Sequence, residues 1–151
     1  MSASVVFATP FKPKLKQQRP SQWSEIKLLE DASPWVTGCV FKISEFARLP
    51  QDWDSHGSKA VTVDAFKMAL IFLSQSPLEL VPEPSVSPVP GGGLGFHWQT
   101  EGRDLEIEIL PDGQVEYLKT VSVKGDVKSE EGLLETFSDK RLWYWLAGEL
   151  A

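Results

Sequence analysis

The chain has 151 residues, with 15 Lys and Arg against 21 Asp and Glu, a formal charge of −6 and 42% hydrophobic residues. That length fits one domain with a sizeable core, and an ordinary composition excludes wholesale disorder. One cysteine, Cys39, excludes an internal disulfide framework. No apolar run reaches the ~20 residues of a membrane span, and the first residues lack a basic-then-apolar secretory signal. The expectation is a cytoplasmic protein without a membrane partner.

The charge is uneven. Lys12, Lys14, Lys16 and Arg19 precede the first acid, Glu25, so the start of the chain carries +4. From Glu25 onward there are 11 basic and 21 acidic residues. Pro10, Pro13 and Pro20 break helices, so residues 1–22 are expected to be a basic, flexible arm on a single acidic domain, 23–151. An acidic body argues against nucleic-acid binding by the domain itself. The arm is the segment that could touch phosphate, an acidic partner, or the domain.

Trp23, Ile26 and Leu29 hint at a weak helix that Ser33-Pro34 would break. Ile43, Phe46 and Ala47 lie at i, i+3, i+4, so a short helix is expected within 40–49, stopped by Pro50. Residues 50–59 read as a loop. Trp53 is expected to anchor it in the core, Asp54 to cap its turn, and Gly57 to take an unusual φ. Asp52, Asp54, Ser55 and His56 are tempting as catalysts, but no nucleophile motif surrounds them and no catalytic residue is assigned. Thr62 is a helix N-cap, with Asp64 complementing the dipole. Phe66, Ala69, Leu70 and Leu73 continue at helical spacing, predicting a largely buried helix over about 63–76.

Residues 77–93 hold five prolines and a Gly91-Gly92-Gly93 run, so this stretch is extended or turning. Leu94, Phe96 and Trp98 then alternate with polar or small residues, as do Leu105, Ile107 and Ile109. Pro111-Asp112-Gly113 turns the chain into Val115, Tyr117 and Lys119. A three-residue turn with a glycine bulge pairs Ile109 with Val115, Glu108 with Glu116 and Ile107 with Tyr117. The same logic sets His97 opposite Glu106. Residues 129–150 have a helical composition, with Ser138 as the cap of a last helix. The predicted fold is α+β: a three- to four-stranded antiparallel β-meander with helices packed on one face.

That register gathers His97, Glu106, Glu108 and Glu116 on the polar face. Histidine with carboxylates suits a transition metal, and a metal-dependent hydrolase is one reading. A surface for a cationic partner, including the chain's own arm, is a second. A simply solvated face is a third. A nuclease site through Asp112 and Glu116 fails because Leu118 stands where its lysine is needed. At the end of the chain Trp143, Tyr144 and Trp145 cannot all face one way: core packing against the sheet is one reading for most of the cluster, and an aromatic surface for a partner or a second copy is the other.

Three segments together resemble a known family. They are Leu49-Pro50-Gln51-Asp52-Trp53-Asp54-Ser55-His56-Gly57, Pro84 to Trp98 with its Gly91-Gly92-Gly93 run, and Leu105-Glu106-Ile107-Glu108-Ile109-Leu110-Pro111-Asp112-Gly113. They are similar to a family of small, uncharacterised prokaryotic proteins. Its members carry a W-D-x-Y-G loop, a P-x-V-x-P segment followed by G-G and W, and an L-E-I-E-I-x-P-D-G hairpin. His56 stands where that family has Tyr, which counts against a catalytic histidine. The resemblance implies kinship and fold only; separately, no cofactor is expected. The functional expectation is a non-enzymatic interaction protein, an antitoxin-like or accessory subunit. Lys12, Lys14, Lys16, Arg19, Trp143, Tyr144 and Trp145 are its candidate contacts. Nucleic-acid contact through the basic arm is an alternative.

Overall fold

A computed structural model describes residues 34–148. The basic arm with Lys12, Lys14, Lys16 and Arg19, and the weak helix expected near Trp23, lie outside the described residues. In chain order come α1 (Pro34–Phe46), α2 (Val63–Gln75), a 3-10 turn (Leu78–Leu80), β1 (Ser85–Val89), β2 (Gly93–Thr100), β3 (Arg103–Ile109), β4 (Val115–Val123), β5 (Asp126–Leu133) and α3 (Arg141–Leu146). The strands form one antiparallel sheet in the order β1-β2-β3-β4-β5.

Helix α1 starts earlier than residue 40, at Pro34. Proline is accepted in a first turn, where its missing N–H has no intrahelical partner to lose. Val36, Cys39 and Ile43 then form the buried stripe. Burial also pushes the Cys39 thiol up to about 11, against a smaller opposing pull from Lys42. Helix α2 matches its expected span. Thr62 Oγ1 accepts from Ala65 N at 3.0 Å and donates to the Pro111 carbonyl at 2.6 Å. One hydroxyl thus caps the helix and ties it to the β3–β4 turn.

Five strands form, where three or four were expected. The proline-rich segment supplies β1 at the sheet edge, where a residue such as Pro88 without an N–H is tolerated. The larger correction is β5, whose residues 129–133 were expected to be helical. Lys124 (φ 53°) and Gly125 (φ 87°) make a two-residue turn in the left-handed region, the geometry of a tight hairpin. Pairing with β4 then overrides the helical leaning of Ser129-Glu130-Glu131. The last helix is correspondingly short, and no side chain caps it.

The core lies between the inner sheet face and the helices. Leu94, Phe96, Trp98, Leu105, Ile107, Ile109 and Val115 point inward from the sheet and are buried. Phe72 of α2 sits at the centre, with ring centroids 5.2 Å from Phe96, 5.5 Å from Phe137, 5.9 Å from Trp143 and 6.5 Å from Trp98. The Trp98 indole donates to the Pro82 carbonyl at 2.7 Å, which satisfies its one polar atom.

Candidate functional site: the acidic outer face of the sheet

The expected register holds. Ile109 pairs with Val115, Glu108 with Glu116, Ile107 with Tyr117, and His97 with Glu106. The turn closes through Leu110 N donating to Gln114 O at 2.7 Å, with Gly113 at φ 92°. Because side chains alternate, the faces of β2, β3 and the start of β4 differ in chemistry. The apolar row is inward and the acidic row outward.

Two rows cross the outer face. One runs His97, Glu106, Leu118, Glu131; the next runs Gly95, Glu108, Glu116, Leu133. Glu106, Glu108, Glu116 and Glu131 line a shallow cavity of about 370 Å³ with Leu118 and Leu133 between them. Burial raises the Glu108 carboxyl above its usual value, and the charges of Glu116 and Glu106 push the same way. Among the described residues none of these four carboxylates has a hydrogen bond or an ion pair, whereas Glu83, Asp104, Glu130 and Asp139 each do. Glu131 and Leu133 were missed in the sequence, because residues 129–133 were read as helix.

The metal reading loses its geometric basis here. Residues on neighbouring strands share the face, yet among the described residues no group of three or more His, Cys, Asp or Glu side chains could hold an ion. His97 Nε2 instead lies 2.7 Å from Asp104 Oδ1, its diagonal neighbour across the β2–β3 pair.

The C-terminal aromatics do not form an open surface. Trp143 and Trp145 are 1% and 6% exposed, and Tyr144 between them is half-buried. Trp143 packs edge-on against Trp98 at 5.3 Å. Trp145 lies under two cations, with Arg103 and Lys119 at 5.3 and 5.0 Å from its ring. Arg103 also donates to the Trp145 carbonyl, and Lys119 pairs with Glu130 at 3.5 Å. Both sides of this short helix are therefore occupied, one by the core and one by β3 and β4.

The loop over 50–59 is built around its own acids. Asp52 Oδ1 accepts from Gly57 N at 2.6 Å, and Asp54 Oδ1 accepts from His56 N at 2.9 Å. Asp54 also accepts from the Ser58 hydroxyl, which with the backbone bonds holds its carboxyl below the usual range. Gly57 has φ 82°, as expected. Trp53 does not reach the core: it is half-buried and donates to the Lys59 carbonyl of the same loop at 3.0 Å. His56 is exposed, and its Nδ1 lies 2.7 Å from the Asp54 carbonyl oxygen.

The three segments that carry the family resemblance meet at one end of the sheet. Lys59 N donates to Pro90 O at 2.7 Å, and Thr62 N to Gly92 O at 3.0 Å. Thr62 reaches Pro111 as described. A Cβ at Gly93 would stand 2.2 Å from the Ile109 carbonyl oxygen, so only glycine fits that crossing. Packing of backbone against backbone thus explains this constellation without any chemistry. Among the described residues no helix is long and apolar enough to cross a membrane. Compared with protein-family models, with characterised proteins and with solved structures, the chain matches none.

Proposed function

We propose that this protein is a non-enzymatic interaction protein that docks a basic protein segment on the outer face of its sheet. The observation that carries this reading is the pairing of charge with exposure. Four carboxylates without partners among the described residues surround Leu118 and the half-exposed Leu133 on a face that no helix of the described residues covers. Setting Glu108 directly opposite Glu116 costs stability, and the Glu116 charge adds to the burial that raises the Glu108 carboxyl. A basic ligand relieves that repulsion on binding, while the leucines supply apolar contact. The partner is therefore a lysine- or arginine-rich segment, of the kind found in nucleic-acid-binding proteins. An antitoxin-like or accessory-subunit role follows, because an acidic face can mask such a segment. Kinship with the small prokaryotic family of similar motifs is part of the same proposal.

The test compares host proteins retained by the full chain with those retained by a Glu106→Gln, Glu108→Gln, Glu116→Gln, Glu131→Gln variant. The expected result is a basic protein bound by the wild type and lost by the variant. It should also bind again from purified components, more weakly as salt rises. Equal retention by both chains would overturn the reading.

A further inference from the structure

We propose that the chain carries its own ligand for this face: the segment Lys12–Lys16, with Arg19, docks on Glu106, Glu108, Glu116 and Glu131 and competes with the partner. The inference rests on the proposed docking face and names its occupant in the absence of that partner.

Spacing is the first argument. Lys12, Lys14 and Lys16 recur every second residue. Pro13 disfavours the helical region for Lys12, and in an extended chain alternate side chains share one side, about 6.6 Å apart. Glu106 and Glu108 recur with the same period on β3, because that strand is extended too. Glu116 and Glu131 flank them on β4 and β5.

Reach is the second argument. Seventeen residues separate Lys16 from Pro34, the first residue of α1. Fully extended they span about 60 Å. A globule of 115 residues has a half-circumference of about 54 Å from its expected radius of gyration. The arm can therefore reach any face of the domain, and charge decides which. The groove beside Trp145 mixes Arg103, Lys119, Lys124, Lys128 and Arg141 with Asp126, Glu130, Glu135 and Asp139, so it offers a basic arm no net negative charge. Several other acids are already engaged, Asp52 and Asp54 within their loop, Glu83 by Lys42 and Asp139 by Arg141, and acids such as Glu45, Glu79 and Glu101 stand apart in the sequence rather than in one row. The outer face concentrates carboxylates that are not engaged.

A tether of this length gives an effective concentration of about 1 mM. An arm–face contact with a dissociation constant near 1 mM then halves the open population and weakens partner binding about twofold. A tenfold tighter contact weakens it about tenfold.

Zero-length carbodiimide coupling of the full chain, followed by peptide mapping, tests the contact. The expected products join Lys12, Lys14 or Lys16 to Glu106, Glu108, Glu116 or Glu131 within one chain, as mixing of isotope-labelled and unlabelled protein shows. Lys119–Glu130 at 3.5 Å and Lys42–Glu83 at 3.6 Å are internal controls. Control links without arm–face links, or arm–face links only between different chains, would overturn the proposal. Competition is read by binding of a ten-lysine peptide to the wild type and to a Lys12→Ser, Lys14→Ser, Lys16→Ser variant. The variant should bind two- to tenfold tighter, and unchanged affinity overturns the competition. The two readings fail separately. Arm–face links with no peptide binding to either chain sink the partner reading alone. Equal peptide binding without arm–face links sinks the arm alone.

Discussion

The two faces of the β2–β3–β4 sheet share one backbone and have opposite chemistry. The inner face buries seven hydrophobic side chains from Leu94 to Val115 under α2 and α3. The outer face sets like charges directly opposite each other and leaves them unpaired among the described residues. Stability is thus concentrated on one side, and the other side is free to carry an arrangement that costs some of it. A protein selected for stability alone has no reason to place Glu108 against Glu116.

The largest effect should come from the inner face. Phe72→Ala removes the ring that touches four others and should lower stability by about 3–5 kcal/mol, read by denaturant unfolding. A loss under 1 kcal/mol would mean the aromatic cluster is not the organising core. Thr62→Val removes both the helix cap and the tie to Pro111, and should cost about 1–2 kcal/mol.

Outer-face changes should be small and opposite in sign. Glu108→Gln should raise stability by about 0.5 kcal/mol at pH 7. The direction follows from linkage. Folding raises this carboxyl above the ordinary 4.5, so the folded state holds the proton more tightly. The wild type therefore loses stability as pH rises from the unfolded value through the folded one. The gain from Glu108→Gln should be full at pH 7 and vanish below pH 4.5. A gain independent of pH would point to packing rather than charge. The smallest effect is local: Asp139 should titrate near 2 because Arg141 holds it ionised, and return toward 3.8 in Arg141→Gln, as carboxyl NMR would show.

Where alternation was strong, the sequence was legible. The β2–β3–β4 register followed from apolar periodicity and the Pro111-Asp112-Gly113 turn, so the acidic row was readable residue by residue. What escaped depended on longer-range packing. The β5 strand has helix-leaning residues and is held by its hairpin, whose signal was the Lys124-Gly125 pair between Val123 and Val127. Pro34 read as a breaker although it opens a helix. For Trp143 and Trp145 the sequence left core packing and a partner surface both open; both are buried, because core and sheet cover opposite sides of one short helix. His97 finds Asp104 rather than Glu106 by choosing its diagonal neighbour, a choice of rotamer that spacing does not encode.

The most direct test of a working outer face is amide NMR of the isotope-labelled full chain during titration with the ten-lysine peptide at low salt. The account predicts shifts confined to β3, β4 and β5 around Glu106, Glu108, Glu116, Leu118 and Glu131, reversed by added salt. Shifts centred on the Trp145 groove, or none at all, would contradict it.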